Sequence, residues 1–224
     1  MLDSILFLIK ETKGGLLMKI TKIEFQKKNK DRLNIYVDNA FAFGLSIDVF
    51  IKHNLKKDQE VDNEYIEGIL LEEENNSAIN HGLKYLSFRQ RSVKEMNNHL
   101  KKKGYDDSII NRTIDYLLEK NYLDDYKFAE SFIKDKTYLN KYGTNKIRYD
   151  LLNKGVPKEI ISKTLKYNSH EEYENALELA NKKIQSYKNQ DRNSIYRKLG
   201  SFLQRKGYRY EIVSKVLKDV LNEE

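Results

Sequence analysis

No cysteine occurs among the 224 residues. That excludes disulfides, thiolate nucleophiles and cysteine-ligated zinc, and it leaves a reducing, cytoplasmic location as the expectation. Long apolar runs are missing as well. Ile5-Leu6-Phe7-Leu8-Ile9 is far short of a membrane span and has no basic segment before it, so neither a membrane helix nor an export signal is expected. Proline is reduced to one residue, Pro157. There is no Gly-x4-Gly-Lys-Ser/Thr phosphate loop, no His-Glu-x2-His pair, no dinucleotide glycine pattern and no Gly-x-Ser-x-Gly elbow. The four histidines, His53, His81, His99 and His170, are scattered through the chain. The expectation is a binding protein with no catalytic residue, metal or cofactor.

What the chain does contain is a repeat. Leu100 precedes Gly104 by four residues, Leu151 precedes Gly155, and Leu203 precedes Gly207, with the glycines 51 and 52 residues apart. Ala78, Ala129 and Ala180 recur upstream at intervals of 51. Met96, Ile147 and Leu199 stand four residues before the leucines, which places each pair on one helical stripe, and each glycine falls where a helix needs a left-handed residue to end. Ile109, Ile110 and Ile114, then Ile160, Ile161 and Leu165, then Ile212, Val213 and Leu217 mark a third helix in each unit. Asp106 is a candidate cap for the first of these, and Pro157 is expected at the first helical position of the second. Ser92 and Glu95 have the spacing of a capping box, while Thr144 and Ser194 head their middle helices with no glutamate three residues on. The paired carboxylates Asp106-Asp107, Asp124-Asp125 and Glu171-Glu172 are read as capping residues of their own helices. Units of this size stack and are expected to share one continuous core.

The expected fold is therefore mainly α: three tandem three-helix repeats, at 76–125, 126–170 and 171–224, forming an elongated, curved array. A smaller module at 18–75 precedes them. Ile20, Ile23 and Phe25 alternate, as do Leu33, Ile35 and Val37, on either side of a polar turn from Lys27 to Arg32, predicting a β-hairpin. Phe41-Ala42-Phe43-Gly44-Leu45 follows, then two helices near Ser46–His53 and Asp62–Leu71, and Glu72-Glu73-Glu74 is expected to act as a hinge. Lys13-Gly14-Gly15 is how a purine-rich ribosome-binding site would read in this frame, so translation is expected to start at Met18, with residues 1–17 a dispensable extension.

Charge is unevenly shared within the net +7. Residues 18–75 carry 9 basic and 12 acidic side chains, a net of −3, whereas residues 126–170 carry 10 and 4, a net of +6. A helical surface of this kind suits a phosphate backbone. The candidate basic face comprises Lys84, Arg89, Arg91, Lys101, Lys102 and Lys103 in the first repeat. The second contributes Lys141, Lys146, Arg148 and Lys154, and the third Arg197, Lys198, Arg205, Lys206 and Arg209. Lys101 to Lys103, Lys154 and Lys206 also complement the negative ends of their helices without any ligand. Tyr85, Tyr116, Tyr149 and Tyr187 are expected to be packing residues rather than platforms for bases.

Over residues 18–224 the chain resembles RecX, the regulatory protein of the RecA recombinase. The resemblance rests on the three units ending in Leu-x3-Gly, on Arg91-Ser92-x2-Glu95, and on Tyr122-Leu123-Asp124-Asp125 followed by Phe128-Ala129. Met96 departs from the leucine usual after that glutamate. The resemblance implies a monomeric, non-enzymatic inhibitor in homologous recombination, DNA repair and the SOS response. It would lie in the groove of a RecA filament on single-stranded DNA, with double-stranded DNA a further partner, limit filament growth or promote disassembly, and lower ATP hydrolysis and strand exchange. Two other readings stand beside it: a general DNA-binding protein related to helix-turn-helix regulators and acting without RecA, and a scaffold for some other protein.

Overall fold

The computed structural model describes residues 17–187 and 189–222, so residues 1–16, on which the start-site expectation chiefly bears, lie outside the described part. The chain divides into two compact units, residues up to Leu83 with Gly104–Thr113, and Lys84–Lys103 with the residues from Ile114 on.

The first unit is built on a sheet larger than the expected hairpin. Strands β1 (Met18–Phe25), β2 (Arg32–Val37), β3 (Ala40–Ser46) and the two-residue β4 (Glu60–Val61) are ordered β3-β2-β1-β4. The joined pairs are antiparallel, with Ile20 opposite Val37, Ile23 opposite Ile35 and Leu33 opposite Leu45. Period-two alternation sends Ile20, Leu33, Ile35, Phe43 and Leu45 to the buried face. The turn between β2 and β3 uses Asp38 and Asn39 at φ 49° and 69°, a left-handed pair of the kind that closes tight hairpins. Helix α1 (Ile47–Lys52) follows, its first turn capped by the Ser46 hydroxyl.

Helix α2 runs unbroken for 24 residues, Asn63–Leu86, through the acidic stretch expected to be a hinge. Glu73 explains the continuity. It is buried, pairs with Arg32 at 2.6 Å and accepts hydrogen bonds from the Ser46 backbone N–H and hydroxyl at 2.9 and 2.7 Å. A carboxylate fixed in this way ties the helix to the sheet and leaves no acidic spacer to bend.

The remaining helices are α3 (Val93–Lys102), α4 (Asp107–Glu119), α5 (Asp125–Tyr138), α6 (Thr144–Asn153), α7 (Lys158–Thr164), α8 (Ser169–Ile184), α9 (Arg192–Arg205) and α10 (Tyr210–Asn222). The predicted stripes are buried: Met96 and Leu100 on α3, Ile147 and Leu151 on α6, Leu199 and Leu203 on α9, and the three alanines on the first helices. Gly104, Gly155 and Gly207 have φ of 89°, 79° and 94°, the left-handed ends that the spacing required. Pro157 sits one position earlier than expected, as the N-cap of α7. Helix α9 starts before Ser194, which donates its backbone N–H to the capping Asp191.

One continuous core is not what the second and third repeats have. Phe128, Ala129, Ile147, Leu151, Val156, Ile161 and Leu165 form one cluster, and Ala176, Ala180, Leu199, Leu203, Tyr208, Ile212, Val213, Val216 and Leu217 form another. Each repeat closes over its own apolar residues. The junctions between them must then be held by other means.

Candidate partner-binding surface

The first junction, between α3 and the second repeat, is polar. Ser92 caps α3 in the expected box with Glu95, and its hydroxyl also donates to the Lys154 carbonyl at 2.7 Å. Lys154 reaches back to Glu95 at 2.6 Å, and Arg89 pairs with the same carboxylate at 3.1 Å. Burial alone would raise the Glu95 carboxyl, but the hydrogen bonds from Arg89 and Lys154 outweigh it and hold the pKa at about 2. The Asp124 side chain caps its own helix. Asp125, beside it, turns away to accept the Val93 backbone N–H at 2.9 Å. Burial pushes its carboxyl above the usual range, the Val93 bond offsetting this only in part.

The second junction repeats the device. Gly143, the N-cap of α6, has no capping side chain, and Glu172 of α8 supplies one, accepting the Thr144 N–H at 2.6 Å and the Thr144 hydroxyl as well. The Gly207 turn lies against α6, its carbonyl accepting from the Asn145 N–H at 3.2 Å, while Gly143 donates to the Lys206 carbonyl at 2.9 Å. Lys141 pairs with Glu178 at 2.7 Å, and Tyr208, whose phenol is raised by burial and by nearby Glu172 and Glu178, donates to the Lys141 carbonyl at 2.7 Å. Asp125 and Glu172 therefore serve the preceding repeat, which corrects the reading of both as caps of their own helices. Nothing local in the sequence marks them out, because their targets lie 32 and 28 residues away.

These junctions divide the candidate basic face in two. Arg89, Lys141 and Lys154 are spent in the ion pairs above. Lys146 pairs with Asp150 at 2.5 Å. Lys206 lies 4.9 Å from the Tyr142 ring, and Arg209 sits over Tyr167 at 3.9 Å. Arg91 stacks on Tyr85 at 3.9 Å, and that ring stacks on His99, as packing was expected to use Tyr85. Lys198 bonds to Gln190 at 2.7 Å. The exposed remainder is Lys84, Lys101, Lys102 and Lys103, Arg148, and Arg197 and Arg205. Leaving Lys101 aside, these have no ion-pair partner among the described residues. Only Lys102 and Arg205 recur in register, each two residues before its glycine where the second repeat has Asn153, whereas Arg148 stands seven before its own, where the other repeats have Asn97 and Gly200. Tyr149, expected to pack, is 60% exposed beside Arg148.

Among the described residues no group of histidine and acidic side chains is arranged to hold a metal ion. No described helix is long and apolar enough to cross a membrane. A sheet module is followed by helical repeats, of which the second and third are separately cored and held at their junctions by polar clasps. A family model for the N-terminal domain of regulatory protein RecX matches residues 18–62, and models for the first, second and third RecX three-helix domains match residues 78–117, 124–165 and 170–217. The chain belongs to the RecX family. Regulatory protein RecX of Clostridium tetani is 39% identical over 206 residues, spanning 91% of this chain and 94% of that one. That of Clostridium botulinum strain Alaska E43 is 38% identical over 207 residues, spanning 91% and 97%. A crystal structure of regulatory protein RecX covers 93% of this chain and 100% of its own with a TM-score of 0.72 at 28% identity. RecX from Lactobacillus salivarius shares the fold over 67% of this chain and 98% of its own, with a TM-score of 0.59 at 24% identity. RecX proteins are regulators, not enzymes, and the mainly helical three-repeat fold expected from the glycine period is the fold of the family.

Proposed function

We propose that this RecX protein is a monomeric, cytoplasmic inhibitor of the RecA recombinase. It binds in the groove of the RecA filament on single-stranded DNA, limits growth or promotes disassembly, and lowers ATP hydrolysis and strand exchange without chemistry of its own. Family membership carries the regulatory part of this reading. The unpaired cations support the rest: they are present in all three repeats, as a surface tracking an extended charged partner requires, and are not gathered on one recognition helix as a helix-turn-helix reader would need. Linked repeats also gain from effective concentration when each touches a successive site. In the deciding experiment, preformed filaments are mixed with substoichiometric protein and ATP hydrolysis is followed. Suppression is expected, and an unchanged rate with folded protein would sink the proposal. Steeply salt-dependent DNA binding with no effect on filaments would instead favour the general DNA-binding reading.

A further inference from the structure

Building on that reading, we infer that the groove between α6 and α7 receives an acidic protein segment carrying an aliphatic side chain, and so faces a recombinase protomer and not DNA. The groove encloses about 370 Å³ and is lined by Arg148, Leu152, Lys158, Glu159, Ile161 and Ser162. Helix α7 has only seven residues, against thirteen in the third helices α4 and α10, and Leu152 remains 39% exposed above the buried Ile161. The equivalent positions three before the other two glycines are Lys101 and Gln204, both exposed and polar. Lys158, three after Gly155, corresponds to Asp107 and Tyr210, and Arg148 to Asn97 and Gly200. An aliphatic floor flanked by two cations is thus particular to the second repeat, which also carries the +6 excess.

The chemistry selects the partner. Arg148 and Lys158 have no ion-pair partner among the described residues, so both can take carboxylates, Arg148 through a bidentate fork. Glu159 is the one opposing charge in the lining. A phosphodiester strand could use the cations but makes less use of Leu152 and Ile161, since single-strand binding rests chiefly on stacking of bases on aromatic faces. The nearby exposed Tyr149 does not line the groove. A protein segment uses both elements, its aliphatic side chain seated at the centre and its carboxylates at the rim.

The test compares full-length wild type, Leu152→Ser and the double variant Arg148→Glu/Lys158→Glu. Thermal unfolding confirms folding, and sedimentation velocity records the association state. Binding is measured separately to RecA filaments on single-stranded DNA and to the same DNA alone. Leu152→Ser is expected to weaken filament binding by about tenfold and to leave DNA binding within about twofold, and the charge reversal to weaken filament binding at least as much. Wild type that binds filaments with Leu152→Ser unaltered overturns the groove assignment alone. Equal loss of DNA and filament binding makes the groove a DNA site, and a change in association state makes it a contact between copies; either overturns the inference. Wild type that ignores filaments overturns the underlying reading as well.

Discussion

Three glycine-to-alanine substitutions separate two costs that the repeat junctions combine. Gly104 has φ of +89° and open space where a Cβ would go, so Gly104→Ala carries only the left-handed backbone penalty, about 1 kcal/mol. Gly143 is the converse. Its φ is −73°, which any residue adopts, but a Cβ there would sit 2.5 Å from the Gly207 carbonyl carbon and oxygen and 2.6 Å from the Tyr208 nitrogen. Backbone on the far side cannot swing away as a side-chain tip would, so the junction must open, at the cost typical of overpacking, about 1 to 3 kcal/mol. Gly207 has φ of +94°, and its added Cβ would overlap the Cβ and backbone nitrogen of Lys146. Gly207→Ala therefore combines both, about 2 to 4 kcal/mol. Urea unfolding gives the totals, and amide exchange locates them. The Gly143 and Asn145 N–H groups, bonded to the Lys206 and Gly207 carbonyls, should lose protection in the Gly143 and Gly207 variants and keep it in Gly104→Ala. Equal losses of about 1 kcal/mol at all three sites would show that the turn does not press on α6, and the reasoning would fail.

Glu95 sets a pH dependence. Its carboxyl falls from an ordinary 4.5 to about 2 in the fold, so its contribution is present above the unfolded value and is lost as pH drops from about 4.5 to about 2. The difference corresponds to stability on the order of 3 kcal/mol, and Glu95→Gln should flatten that acid limb in a pH series of unfolding midpoints. Asp125→Ala strands the part-buried Val93 N–H and should cost about 1 to 3 kcal/mol and speed Val93 amide exchange. Asp124→Ala removes an ordinary local cap, about 1 kcal/mol, and should leave Val93 protected.

The apolar skeleton was legible because it is local. Stripes at spacing four, a glycine where each middle helix stops and a capping box at Ser92 are all written within about ten residues, and each is found where it was expected. Position 73 was misread for the opposite reason: one of three consecutive glutamates, Glu73 is distinguished only by Arg32 and Ser46, which the sheet brings up from 41 and 27 residues away. Part of the basic face hid its pairing in the same way. Lys154 differs from Arg148 by the presence of Glu95, 59 residues earlier in the preceding repeat, and no periodicity announces a carboxylate arriving from another repeat. Lys146, paired to Asp150 and pressed by Gly207, is consequently not a neutral surface position for charge reversal, as its place in the candidate face had suggested, whereas Arg148 is. Tyr149 escaped because tyrosine at helical spacing fits a half-buried seam as well as an open face.

The handing of caps from one repeat to the one before gives the chain a direction in time. Helix α3 carries its own box at Ser92, and α9 draws its cap from the adjacent Asp191. Helix α6 has neither: its first N–H, on Thr144, waits for Glu172, a residue synthesised after every part of the second repeat's own core. On the ribosome, where chains emerge at about 5–20 residues per second, that core can close before its middle helix has a finished beginning. A chain that stopped short of α8 would hold a packed second repeat with the N-terminus of α6 left to water.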